Sequence, residues 1–211
     1  MTESILATRL QQGCAALSLS LSQKQQTQLL QYIQLLHKWN KVYNLTSVRE
    51  PEQMLGRHIL DSLSILPYLV GDSLLDVGTG GGLPGIPVAI ARPEMAVTLL
   101  DSNSKKTRFL QQVKTELALN NVTVVHGRVE QISLPQFAII TARAFASIDD
   151  IIKLTGHHCQ RAGKLILMKG VYPTDELEFD ATAFELQDVI SLHVPESQGE
   201  RHLVRLCRKE G

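Results

Sequence analysis

The residues between 76 and 101 carry the chemistry around which the chain is organised. Asp76 follows the apolar pair Leu74-Leu75. Glycines follow at 78, 80, 81, 82 and 85, then an apolar segment to Ile90. The pattern reads as strand, ligand-hugging turn, helix. Glycines at 78, 80 and 82 remove the Cβ atoms that would hold a ligand off the backbone, and they accept φ > 0. The helix start after them offers unpaired N–H groups. Asp76, at the strand end, can organise the turn or accept from a cationic or hydroxyl group. A second acid, Asp101, ends the next apolar run, Ala96 to Leu100. That is about the spacing at which a carboxylate takes a ribose 2′-hydroxyl. Five glycines between 78 and 85 are more than a ligand-free turn needs.

Two ligands compete for this turn. Gly80-Gly81-Gly82-Leu83-Pro84-Gly85 matches the dinucleotide fingerprint G-x-G-x-x-G. The overlapping frame Asp76-Val77-Gly78-Thr79-Gly80-Gly81-Gly82 resembles the first motif of class I S-adenosylmethionine-dependent methyltransferases. A pyrophosphate is best served with no acid nearby, whereas a methionine ammonium and a sulfonium tolerate one, so Asp76 favours the methyl donor. Asp101 supports a nucleoside without deciding which, because both cofactors carry a ribose diol.

The elements that must position these residues follow from hydrophobic period. Residues 1 to about 70 show no strand signal and read as a helical extension. Ser22 and Gln25 form a capping box, and Leu29, Ile33, Leu36 and Tyr43 then recur on one helical face. Pro51 suits the first turn of a further helix, whose apolar pattern Arg57, His58 and Asp61 interrupt. His58 and Asp61 stand three apart and read as a local pair orienting that helix. From Ser73 the pattern becomes βα. Apolar runs at 73–77, 96–100, 122–125, 137–141 and 164–168 alternate with helices predicted at 84–91, 103–119, 147–158 and 174–181, the signature of a parallel sheet covered on both faces. Leu186–Val194 and Arg201–Cys207 then read as a closing hairpin, because six intervening residues, Pro195 to Glu200, are too few for a parallel crossover. The expected architecture is α/β: a Rossmann-like, mostly parallel seven-stranded sheet with an antiparallel last strand, in a domain from 71 to 211 behind an extension from 1 to 70. A dinucleotide fold would build a second βαβαβ half, whereas a class I methyltransferase ends with one antiparallel strand slipped into an otherwise parallel sheet, as the closing hairpin suggests.

Composition narrows the function. Formal net charge is zero, so a polyanion must be met by a local cluster rather than by the whole surface. Cys14, Cys159 and Cys207 lack metal spacing and read as the reduced thiols of a cytoplasmic protein. No metal site and no membrane span is expected, since no apolar run approaches about 20 residues, and no obligate protein partner is evident.

Further motifs extend over nearly the whole chain. They are Asn40-Lys41-Val42-Tyr43-Asn44-Leu45-Thr46-Ser47-Val48-Arg49, Arg57-His58-Ile59-Leu60-Asp61-Ser62, the glycine turn through Gly85, Thr141-Ala142-Arg143-Ala144-Phe145-Ala146, Met168-Lys169-Gly170 and Gly199-Glu200-Arg201-His202-Leu203. Together they resemble the glucose-inhibited division protein B family, bacterial methyltransferases acting on guanine N7 in small-subunit (16S) ribosomal RNA. Gly81 departs from the proline many members carry there. The resemblance implies S-adenosylmethionine as donor and ribosomal RNA, free or in a ribosomal particle, as partner. It also implies roles. Gly78, Gly80 and Leu83, with Asp76 at the strand end, would contact the cofactor around the turn, and Asp101 its ribose. Val129 and Glu130 would contact its adenine. Arg143 would reach the cofactor where donor and acceptor meet, the one residue placed for catalysis.

Guanine N7 has a lone pair and no proton, so the reaction asks for alignment rather than a general base. The RNA-facing candidates are Lys38, Lys41, Arg57, His58, Arg128, Lys169 and Arg201. The expectation is a positive rim around the cofactor mouth, offset by Glu176, Glu178 and Asp180 elsewhere. An NAD-linked oxidoreductase and a non-enzymatic RNA-binding module are the competing readings. Asp76 and the missing second half oppose the first; neutrality and the cofactor turn oppose the second.

Overall fold

Amphipathic pattern and capping chemistry set the helices. In the computed structural model, which describes residues 2–143 and 146–209, α1 (Thr2–Ala16) and α2 (Gln23–Tyr43) open the chain. Ala144 and Phe145 of the fourth strand's motif lie outside the described residues. The capping box at the start of α2 is present: the Gln25 N–H donates to Ser22 Oγ at 3.3 Å and the Ser22 N–H to Gln25 Oε1 at 2.8 Å. The helix stops at Asn44, whose φ of 50° is left-handed.

Pro51 opens α3 (Pro51–Met54), which runs through a π-helical segment, Leu55–Leu60, into α4 (Asp61–Leu63). The closing hairpin presses on this segment: a Cβ on Gly56 would lie 2.6 Å from the Glu196 carbonyl oxygen. Arg9 of α1 binds the same loop, donating to both Glu196 carboxylate oxygens at 3.1 and 2.7 Å.

The sheet comprises β1 (Ser73–Val77), β2 (Ala96–Asp101), β3 (Val122–His126), β4 (Phe137–Arg143), β5 (Cys159–Lys169), β6 (Phe184–Ser191) and β7 (His202–Arg208), in the order β3-β2-β1-β4-β5-β7-β6. The first five strands are parallel; β7 runs antiparallel between β5 and β6. The short connection between β6 and β7 forces that reversal.

Three helices follow the strands: α5 (Gly85–Ala91), α6 (Ser104–Glu116) and α7 (Ile148–Thr155). One apolar cluster joins Leu74, Val97, Ile139 and Ile166 of the sheet to Phe109 of α6 and to Leu10, Leu29 and Leu60 of the N-terminal helices. The extension is thus a layer on one face of the sheet. The other face packs Leu75, Ile140 and Leu167 on Ile148 and Ile151 of α7 and on Phe184.

The helix expected at 174–181 is absent; only Thr174–Glu176 form a 3-10 turn. Leu177 and Phe179 both pack on the second cluster, a two-residue spacing that suits extended chain rather than helix. Asp180 then accepts from the Thr182 N–H at 3.0 Å, a local turn that competes with helix.

Candidate active site at the carboxyl ends of the strands

The strand order reverses at β1, with β2 on one side and β4 on the other. A crevice opens there above the carboxyl ends, where open α/β sheets hold ligands. Two adjoining cavities fill it, and Gly78 lines both. The first, about 480 Å³, is walled by Asp101, Lys106, Arg128, Val129 and Glu130. The second, about 400 Å³, is walled by Thr46, Asp61, Gly80, Leu83, Arg143, Lys169 and Arg201 among others.

The glycines of the turn divide by task. Gly78 and Gly80 have φ of 65° and 60°, a region costly for side chains. A Cβ on Gly80 would meet nothing nearer than 3.9 Å, so its absence leaves open room beside the second cavity. Gly85 serves packing instead: its Cβ would lie 2.7 Å from Asp76 Oδ2 and run into Leu99. Tyr32, fully buried on α2, donates to the Gly81 carbonyl at 2.6 Å and so fastens the turn to the helical layer.

Asp76 shapes the turn from beneath and has no exposed surface. Its Oδ2 accepts from the Thr79 hydroxyl at 2.6 Å and from the Gly85 N–H at 2.8 Å, while Oδ1 has no partner among the described residues. Burial pushes its carboxyl up to about 7, against the pull of those two bonds. The direct ligand contact expected of Asp76 is therefore corrected: every atom of it lies under the backbone it organises.

Asp101 meets its expectation of position. Its Oδ2 accepts from the Gly80 N–H at 2.9 Å and its Oδ1 from the Asn103 N–H at 2.8 Å. A carboxylate has about four lone-pair sites, so two remain after these bonds. Lys106, which α6 amphipathicity assigns to the outer face, instead lines the cavity 3.6 Å from Asp101. The first turn of α6 follows β2 so closely that its side chains overhang the strand end.

The basic residues separate. Arg143, at the end of β4, donates through Nη1 to Asp61 Oδ2 at 3.0 Å and to the Arg57 carbonyl at 3.2 Å. Arg201, at the entry to β7, donates through Nε to Asp61 Oδ1 at 2.9 Å. One buried carboxylate thus anchors two guanidiniums, at the end of β4 and the start of β7, the two strands that flank β5. The local His58–Asp61 pair is not formed: two charged donors outcompete an imidazole for Asp61. His58 turns instead to the Thr46 hydroxyl at 2.8 Å, with Nδ1 2.9 Å from the Arg57 carbonyl. Burial and the positive charge of Arg143 push its pKa down to about 4. The neutral ring must donate from Nδ1 to that carbonyl, so Nε2 accepts from Thr46. A buried neutral imidazole offers RNA nothing, which removes His58 from the RNA-facing set.

The rim also differs from expectation. Lys169 is bound at 2.6 Å to Glu176, which was expected elsewhere, and at 3.0 Å to the Ala146 carbonyl. Arg128 lies in the first cavity, 3.8 Å from Glu130. Lys38 lines a separate groove with Gln34, Glu116 and Leu117. Lys41 and Arg57 are exposed and line neither cavity of the crevice. Thr46, Asp61 and Lys106 are the site residues that sequence reasoning missed. Thr46 and Asp61 stood within the quoted motifs, but only their contacts reveal their use.

Solved structures share the fold at low identity. They include TrmN from Thermus thermophilus (TM-score 0.59, 14% identity, covering 73% of this chain and 53% of that one) and a SAM-dependent methyltransferase from Aquifex aeolicus (TM-score 0.58, 16% identity, covering 78% and 97%). Sequence relatives are far nearer. Proteins described as ribosomal RNA small subunit methyltransferase G from Nitrosospira multiformis and Ectopseudomonas mendocina are 49% and 52% identical, covering 96% of this chain each and 97% and 96% of their own lengths. The model of the family rRNA small subunit methyltransferase G, GidB, matches residues 25–204, from the capping box of α2 through the arginine anchor to β7. With Asp61, Arg143 and Arg201 all inside that match, the chain belongs to this family.

Proposed function

We infer that the protein transfers a methyl group from S-adenosylmethionine to N7 of a guanine in small-subunit ribosomal RNA, a cytoplasmic reaction. The observation that carries the reading is the pair of cavities meeting at Gly78, one suited to a nucleoside and the other cationic. The residues fit the donor. Asp101 keeps lone pairs for a ribose diol, Val129 offers an apolar wall beside Glu130, and the missing Cβ of Gly80 leaves backbone open to a chain passing between the cavities.

When bound, the donor supplies a methyl on a positively charged sulfur, which the N7 lone pair takes as the S–C bond breaks, with no proton moved. The protein's part is placement. Asp101 and Val129 would hold the nucleoside end, and Leu83 with the glycine turn would line the methionine end. Arg143 and Arg201 present donors in the second cavity, where guanine O6 is an acceptor and adenine N6 is not. A guanine splayed from a single-stranded loop reaches such a cleft.

The test is transfer of labelled methyl by the purified protein to small-subunit RNA and to intact small subunits, with nucleoside analysis of the product. 7-Methylguanosine is expected. Label confined to cytosine, adenine or a ribose oxygen would overturn the acceptor while leaving the fold and donor standing.

A further inference from the structure

The Arg201–Asp61–Arg143 anchor has a consequence for the acceptor atom. Arginine's favoured grip on guanine is a two-point fork to N7 and O6. At a site that methylates N7, that fork would occupy the lone pair that must attack. The structure assigns to Asp61 the task of preventing it: Asp61 is a positioning residue that leaves Arg201 a single-point donor for guanine O6, with N7 bare. This rests on the reading of guanine N7 as acceptor.

The assignment follows from which nitrogens are spent. A guanidinium presents two forks, one through Nε and Nη2 and one through Nη1 and Nη2. Elsewhere in this protein the first fork is used whole on one carboxylate. Arg9 gives Nε and Nη2 to Glu196 at 3.1 and 2.7 Å, and Arg205 gives the same pair to Asp188 at 2.7 and 2.5 Å. Asp61 is used differently, one oxygen to each of two arginines. On Arg201, Nε is taken by Asp61, and Nη1 is bound to the Glu200 carbonyl at 2.6 Å. Each of its forks therefore has one nitrogen engaged, and among the described residues Nη2 alone is unspent. Arg143 is the complement. Its Nη1 serves Asp61 and the Arg57 carbonyl, so among the described residues its Nε and Nη2 edge stays whole. A whole edge suits a two-oxygen acceptor, not a base whose N7 must stay free.

Burial gives the anchor its rigidity. The Asp61 side chain is 3% exposed, and the two arginines, which line the second cavity, are 22% and 21% exposed. Asp61 opens α4 directly after the π-helical segment, the part of the extension that the β6–β7 hairpin presses against. The extension thereby completes the site.

Asp61→Asn is the test, because it keeps the shape and one acceptor oxygen while removing the charge. The probe is an RNA oligonucleotide carrying either guanine or 7-deazaguanine at the position that the wild type methylates. The wild type is expected to bind both equally within about twofold, because nothing touches N7. Asp61→Asn, with Arg201 released to fork, is expected to prefer guanine by roughly tenfold, the size of a bidentate base contact. Its turnover at saturating RNA falls by a similar factor. Adding Arg201→Lys, whose ammonium cannot fork, should abolish the preference and restore part of the turnover. A merely structural Asp61 would lower RNA and donor affinity together and show no preference. A wild type that discriminates against 7-deazaguanine, or a variant that binds both RNAs alike, overturns the proposal. Should Asp61→Asn fail to fold, Asp61→Ser, which also removes the charge, takes its place in the same comparison. If the wild type makes no 7-methylguanosine, the acceptor reading has failed; if it does and the binding ratios disagree, only the role of Asp61 has.

Discussion

Asp61 and Arg143 form a 3.0 Å ion pair across 82 positions of the chain, tying the start of α4 in the extension to the end of β4. The pair decides where two arginines point, and it gives the extension a part in the site. A double-mutant cycle over Asp61→Asn and Arg143→Gln, read by urea unfolding, should show coupling of about 0.5–3 kcal/mol, as for contacting buried groups. Additive losses would mean that the pair is held by its surroundings rather than by itself.

Asp101 links the glycine turn to the end of β2 through the Gly80 N–H. Replacing it with alanine should weaken S-adenosylmethionine binding by roughly 1–3 kcal/mol, the cost of a lost charge-assisted bond. Asparagine, which keeps an acceptor, should lose less. Calorimetric titration measures both, and unchanged affinity in a folded alanine variant would refute the ribose role.

Tyr32 reaches the turn from the far side of the helical layer. Tyr32→Phe removes the donor to the Gly81 carbonyl and leaves a buried acceptor unpaired. The expected loss of stability is about 1–3 kcal/mol, with weaker donor binding because the turn loosens. Denaturant midpoints with and without donor separate the two effects.

Two buried groups give stability opposite dependences on pH. Asp76 is raised from 3.8 to about 7. Its contribution is full below about pH 4 and is lost as pH rises through 7, because the folded state holds the proton longer. His58 is lowered from 6.5 to about 4. Its contribution is full above about 6.5 and is lost as pH falls toward 4. The slopes oppose each other between pH 4 and 6.5. Asp76→Asn should therefore steepen the rise of stability with pH in that window, and His58→Gln should expose a fall. Unfolding curves at half-unit steps of pH check the signs, and parallel curves for both variants and the wild type would contradict them.

The amino-acid sequence determined the parts whose cause is local. Alternation and helical period placed all seven strands, and the short Pro195–Glu200 connection demanded the antiparallel hairpin. Glycines at 78 and 80 announced a turn with positive φ because other residues rarely adopt it. Asp101 announced itself by standing at a strand end behind that turn. Local period failed at 174–181, where Leu177 and Phe179 answer to a core that the sequence cannot display.

Tertiary structure alone decided how charges are shared. Nothing near Asp61 in sequence indicates two arginines from β4 and β7, and nothing near Lys169 indicates Glu176 as a partner rather than a distant counterweight. A lysine or arginine reads the same in sequence whether it is free, as Lys41 is exposed, or already spent on a buried acid. Which it is depends on contacts between segments far apart in the chain. Those contacts turned an expected positive rim into a cleft whose donors are chosen atom by atom, and they moved Asp76 and His58 from the surface of the site to its foundations.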